Sequence, residues 1–150
     1  MTDIDEASPA DIPALCALLD LLFTQEAEFR PDAHRQARGL GQIVASPEAG
    51  RILVLREDGQ ISGMVCLLFT ISTALGGRVA LLEDMVLRPA SRGRGLGTNL
   101  AQAALALARR SGCLRVTLLT DSDNEVAQRF YKKLGFSTSG MTAMRLLFEA

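Results

Sequence analysis

Residues 92–98 read Arg-Gly-Arg-Gly-Leu-Gly-Thr and stand between an apolar run that stops at Pro89 and a helical pattern from residue 95 onward. A helix that starts after glycines offers unpaired backbone N–H groups and a partial positive charge, which together favour an anion, above all a phosphate. Gly93, Gly95 and Gly97 let the backbone approach such a group without a Cβ in the way. Arg92 and Arg94 can add charge-assisted bonds to phosphate oxygens. The same residues also suit a glycine-rich turn that merely lets strand and helix pack closely. A Walker-type loop is excluded, because Gly97-Thr98-Asn99 holds no lysine. A dinucleotide-binding fingerprint fails too: its third glycine falls on Thr98, and too little chain remains for further βαβ units.

Two other places carry reactive groups. Glu83 and Asp84 interrupt an apolar strand whose successive side chains point to opposite faces, so at least one carboxylate faces the interior or a cleft. That is costly unless the group is bound or used. Tyr131, the only tyrosine, follows Asn124 by two helical turns, so both lie on one helix face. A core tyrosine with an amphipathic ring would have the same placement. Other chemistries find little footing. Cys16, Cys66 and Cys113 are far apart and embedded in apolar sequence, as buried small hydrophobes of a reducing compartment would be. The single histidine, His34, lies in a polar, arginine-rich stretch with no nucleophile motif, so neither a catalytic triad nor a metal site is expected.

The elements that hold these residues follow from period and caps. Residues 1–6 suggest a short strand, and Ser8-Pro9 a helix start for Ile12, Leu15, Leu18, Leu19 and Leu22. A weaker helix is expected over 32–44, after a loop at 25–32. Strands follow at 52–56 and 61–69 around Asp58-Gly59, a strong hairpin signal, and a third at 78–87. A helix over 95–111 ends at Gly112, and a strand at 114–120 comes next. A short helix then carries a capping box, Ser122 with Glu125, and Gly135 past its end. Residues 141–148 are expected to add one or two closing strands. This is mixed α/β order without the strict alternation of a doubly wound fold.

With 150 residues, 48% of them apolar, the chain suits a single domain over 1–150. A net charge of −1 provides no basic field for nucleic acid or anionic membrane, and neither partner is expected. The acidic first residues lack a basic n-region, and apolar runs such as 64–69 are too short to span a bilayer, so a soluble, cytoplasmic protein is expected.

The pattern Arg92-Gly93-Arg94-Gly95-Leu96-Gly97 resembles the pyrophosphate-binding motif Arg/Gln-x-x-Gly-x-Gly/Ala of the GCN5-related N-acetyltransferase (GNAT) superfamily. The preceding "LLEDMVLRP" looks like that family's fourth strand, and "NEVAQRFYKKLGF" is similar to its N-x-x-A-x-x-F-Y-x-x-x-G-F signature. Three motifs in order over residues 79–136 are specific where one would be weak. One departure stands out: Ser91 occupies a position commonly aromatic in the family, which would loosen local packing.

The resemblance implies a mostly antiparallel mixed sheet of six to seven strands flanked by four helices, binding acetyl-CoA as acetyl donor and no metal. Residues 92–98, including Leu96 and Thr98, would cradle the diphosphate. Met85, Val86 and Leu87 would pair with the pantetheine arm like an added strand, and a backbone N–H there would polarise the thioester carbonyl. Asn124 and Ala127 would contact the cofactor. Tyr131 would touch it too and act as general acid to the departing sulfur. Glu83 would be the base, acting directly or through water, with Asp84 structural. The implied activity is transfer of an acetyl group to a primary amine of a small molecule or peptide, by direct attack in a ternary complex. A non-catalytic acyl-CoA sensor, another acyl group or an O-acceptor are the alternatives, and a homodimer is one assembly open to it. The loop "TQEAEFRPD" would border the acceptor cleft, where Glu26, Glu28 and Asp32, with Glu83 deeper, would attract a cationic amine. Simple solvated loop charges are the other reading of those carboxylates.

Overall fold

The turn at Asp58-Gly59 sets the register of the sheet. Both residues take positive φ, 50° and 84°, as a two-residue hairpin turn requires if its twist is to match its strands. It joins β2 (Gly50–Glu57) and β3 (Gln60–Ser72) antiparallel from Glu57↔Gln60 outward. The computed structural model describes residues 1–25 and 30–148, in two compact units, Met1–Leu118 and Leu119–Ala150.

In the first unit, β1 (Thr2–Glu6) pairs antiparallel with β2, and β4 (Gly77–Leu87) antiparallel with β3. β5 (Val116–Leu118) runs parallel to β4, and the order is β1-β2-β3-β4-β5. The central strands are covered on both faces, which is why they read as nearly continuous apolar runs. α1 (Ile12–Gln25) and α2 (Ala33–Ala45) lie on one face, where Leu15, Leu18, Leu19 and Leu40 pack with Ile52, Val54, Met64, Cys66 and Val86. Leu53, Leu55, Val65 and Leu67 alternate to the other side. There α3 (Leu96–Arg110) packs on the sheet with Leu100, Ala101, Ala104 and Leu107 buried.

Local signals place the ends of these elements. The Ser8 N–H donates to the Asp11 carboxylate at 2.8 Å, so the expected cap holds a short 3-10 turn, Pro9–Asp11, that leads into α1. At the end of α3, Gly112 has φ of 82°. Its N–H reaches the Arg109 carbonyl at 3.0 Å, and that of Cys113 reaches Ala108 at 2.9 Å. This doubled bond pattern around a left-handed glycine closes off the helix carbonyls. All three cysteines are free, with Cys66 buried and the other two half-buried.

The second unit holds α4 (Glu125–Lys133) and corrects two expectations. The cap is Asn124, whose side chain accepts the Ala127 N–H at 3.1 Å, and not a Ser122–Glu125 box. Three consecutive cap-forming residues precede the helix, and the one adjacent to its first turn wins. Residues 141–148 form no strand, so the described residues contain a five-stranded sheet and not six or seven strands. Apolar, β-prone composition becomes a strand only where a ladder meets its backbone groups. Here the Met141 N–H bonds locally to the Ser139 hydroxyl at 3.1 Å instead.

Leu100 is fully enclosed beneath α3, so Leu100→Ala should cost about 2–5 kcal/mol through lost transfer energy and a cavity. Urea unfolding should show a lower midpoint at unchanged slope. A loss below about 1 kcal/mol would mean that α3 is not held by this contact.

Candidate active site

β4 changes character at Glu83. Met64 pairs with Val86 but Cys66 with Glu83, so β4 carries one more residue than β3 across this stretch. Asp84 takes φ of 54° there, in the left-handed region that few non-glycine residues adopt. Such a bulge bends the strand and re-aims its side chains. The simple alternation expected of the carboxylate pair is therefore broken: Glu83 is exposed, while Asp84 is half-buried. Both lie close enough to Cys66 that, after burial, their charges help push its thiol up, which keeps that cysteine unreactive.

The other edge of β4 matters as much. β5 meets it only from Ala80 to Leu82. From Glu83 to Leu87, through Met85 and Val86, no strand lies along that edge among the described residues. An edge of this kind presents backbone N–H and C=O groups that an extended ligand can pair with.

β4 ends in a 3-10 turn, Pro89–Ser91, and the glycine loop begins. Gly93 and Gly95 have φ of 82° and 79°, and a Cβ on either would meet nothing within 4 Å. Their glycine is thus required by conformation, and not by crowding from the protein. The Asn99 N–H makes the first bond of α3, to the Gly95 carbonyl at 3.1 Å. Among the described residues, no acceptor meets the backbone N–H groups from Gly93 to Thr98. Leu96 is buried, and Gly97 and Thr98 are half-buried. The two arginines are already engaged. Arg92 donates from Nε and Nη2 to the Leu87 carbonyl at 3.2 and 3.1 Å. Arg94 donates from Nη2 to Glu57 at 2.6 Å.

Glu57, which no sequence motif marks, is the hub of this region. The Ser91 hydroxyl donates to its second carboxylate oxygen. Ser91 is buried, so a polar contact fills the place where the sequence suggested looser packing. Hydrogen bonds from Ser91 first, then from Arg94, pull the Glu57 carboxyl down to about 2. Ser62, the extra residue of a bulge in β3, also lies near enough to lower it, although its buried hydroxyl makes no well-aligned hydrogen bond among the described residues.

In the second unit, α4 fixes Tyr131 from two sides. The Phe136 N–H donates to the Tyr131 carbonyl at 3.1 Å, and the Gly135 N–H to Lys132 at 3.1 Å. Gly135 takes φ of 108°, which makes the segment Leu134-Gly135-Phe136 a helix stop that folds Phe136 back. The rings of Phe130 and Phe136 meet the tyrosine edge-on, at 5.1 and 5.7 Å between centroids. Burial pushes the Tyr131 phenol up to about 12. The oxygen of the Asn124 side chain is committed to the Ala127 N–H, which leaves its amide nitrogen as donor.

The family model described as the acetyltransferase (GNAT) family matches residues 13–136. The chain belongs to this family. Its members are acyltransferases. An N-acetyltransferase of Bacillus subtilis is 30% identical over 140 residues, 89% of each chain. The glucosamine 6-phosphate N-acetyltransferase of Trypanosoma brucei brucei is 38% identical over 87 residues, 57% of each. In fold, an acetyltransferase structure from Clostridium acetobutylicum, solved with acetyl-CoA, has a TM-score of 0.81 at 20% identity, covering 100% of this chain and 99% of that one.

Of the acidic residues expected to border the acceptor cleft, Glu26 and Glu28 lie outside the described residues. Asp32 caps α2, accepting the Arg35 N–H at 3.1 Å. Among the described residues, no helix is long and apolar enough to cross a membrane, and no acidic, histidine or cysteine group could hold a metal.

Because Glu57 in the fold titrates near 2, below its ordinary 4.5, its bonds stabilise the acetyltransferase above pH 4.5 and are lost as pH falls toward 2. Wild-type protein should melt above Glu57→Gln at neutral pH, with the gap closing across that window. A gap independent of pH would show that the carboxylate charge contributes nothing to the fold.

Proposed function

We propose that the protein is an acetyl-CoA-dependent N-acetyltransferase that moves an acetyl group to a primary amine of a small molecule or peptide, by direct attack within a ternary complex. One feature carries the proposal: the unaccepted N–H groups from Gly93 to Thr98, at the start of a 15-residue helix, follow directly on the bulged and open edge of β4. A diphosphate suits the first, by charge and hydrogen bonding, and an extended pantetheine amide chain suits the second. Residues 92–98 then hold the diphosphate and Met85, Val86 and Leu87 the arm, with Asn124 and Ala127 as further contacts.

The amine enters as its ammonium form and must lose a proton before it attacks. Glu83, exposed beside the bulge, accepts that proton directly or through water. The nitrogen then bonds to the thioester carbon, a backbone N–H of the β4 edge stabilises the oxyanion, and the carbon–sulfur bond breaks. Tyr131 donates a hydrogen bond to the leaving sulfur. With its phenol near 12, it is a weaker acid than a thiol of about 8.5, so full transfer to sulfur requires replenishment by the second proton shed from the acylated nitrogen. The balance is one ammonium and one thioester in, one amide, one thiol and one proton out.

A small primary amine as acceptor agrees with the relative named for glucosamine 6-phosphate. The negative charges of Glu26, Glu28 and Glu83 would favour an acceptor of positive charge.

Free-thiol release from acetyl-CoA, measured against a panel of cationic, neutral and anionic amines, tests this directly. A cationic primary amine should give the highest kcat/KM, falling as salt rises. Thiol release from no amine would return the chain to a binding role. Tyr131→Phe should lower kcat by about 10²-fold with little change in acetyl-CoA affinity. Unchanged kcat would leave the tyrosine as packing alone.

A further inference from the structure

Glu57 sits at the last position of β2, 34 residues before Ser91 and 37 before Arg94, yet it bonds to both. We propose that Glu57 is the positioning residue of the diphosphate loop: from the β2–β3 hairpin it holds Arg94 and the entry to α3 in the shape that receives coenzyme A. The proposal rests on the acetyl-CoA reading of the loop.

The middle of the loop has little else to hold it. Gly93 and Gly95 have no side chains to pack, and each occupies a positive-φ conformation. Glycine loses more freedom on ordering than any other residue. Arg94 stands between them, and its side chain is 54% exposed. Its bond to Glu57 at 2.6 Å ties this exposed stretch to the β2–β3 hairpin, while the neighbouring Arg92 reaches the Leu87 carbonyl of β4. The other carboxylate oxygen takes the hydroxyl of Ser91, which is 4% exposed and ends the 3-10 turn where the loop begins. One carboxylate thereby spans the start and the centre of the loop.

The hairpin itself is braced against β4. The Arg88 N–H donates to the Ser62 carbonyl at 2.7 Å, joining the end of β4 to the bulge beside Glu57. Hairpin, strand end and loop therefore form one linked assembly. A carboxylate near an anion site would ordinarily repel the ligand. Here its charge is met by Arg94, which spends one of five guanidinium N–H donors on it and keeps the rest. Ordering the loop in advance removes that entropic loss from the binding step.

Calorimetric titration of wild-type, Glu57→Ala and Glu57→Gln protein with coenzyme A and with pantetheine, which lacks the diphosphate, tests the assignment. Amide exchange of Ser91 and Arg92, whose N–H groups bond to the Arg88 and Pro89 carbonyls, is followed in the free proteins alongside. Glu57→Ala should weaken coenzyme A binding about tenfold, leave pantetheine binding unchanged and speed exchange in the loop. Glu57→Gln, which keeps one acceptor, should lose about threefold, and it carries the same comparison if Glu57→Ala fails to fold. Unchanged or tighter coenzyme A binding by a folded variant, or equal weakening of both ligands, would overturn the role of Glu57 while the acetyl-CoA reading stands. A wild-type protein that binds no coenzyme A overturns that reading, and the role of Glu57 with it.

Discussion

A helix cannot pair its own first N–H groups, and most proteins satisfy them with a capping side chain. α3 has no such cap. Its Ncap residue is Gly95, with φ of 79°, and no side chain can reach forward from it. The donors of the loop and first turn are left pointing at whatever acceptor arrives. Everything around them makes this arrangement tolerable. Leu100, Ala101 and Ala104 press the helix onto the sheet, the left-handed Gly112 closes its far end, and Glu57 steadies the approach from outside.

The second constraint is the extra residue in β4. The strand's pairing with β5 stops at Leu82, opposite Leu118, the last residue of β5. Asp84 in the left-handed region follows two residues later, and the bulge around it re-aims the strand from there on. An open strand edge usually invites aggregation, but this one is short and ends at the loop. Glycine loop and strand edge are consecutive in the chain, from Glu83 to Thr98, so in the proposed coenzyme A complex one local distortion would align both parts of a long ligand.

Much of this is legible in the order of the residues alone. Turn and cap chemistry is local, so Asp58-Gly59, Gly112 and Gly135 announce their conformations, and the buried helix faces follow from period. The loop reads as a candidate anion site or a packing turn, and the fold gives backbone conformation as the reason for Gly93 and Gly95. What stays hidden is non-local. An aspartate within an apolar run carries no mark that it will bulge, and Glu57 reads as an ordinary hairpin residue until the fold brings Ser91 and Arg94 to it. The segment at 141–148 misleads for the same reason: its composition suits a strand, but pairing depends on a partner that composition does not supply. The row Ser122-Asp123-Asn124 offers three competent caps, and only geometry chooses among them.

The proposed coenzyme A site depends on backbone N–H groups meeting phosphate, and those groups can be watched one by one. Amide chemical shifts of residues 93–98, followed by NMR during titration with coenzyme A, should move saturably and most strongly at Gly95, Leu96 and Gly97, while pantetheine leaves them nearly unmoved. Saturable binding of coenzyme A with those amides unperturbed, or moved equally by pantetheine, would contradict it.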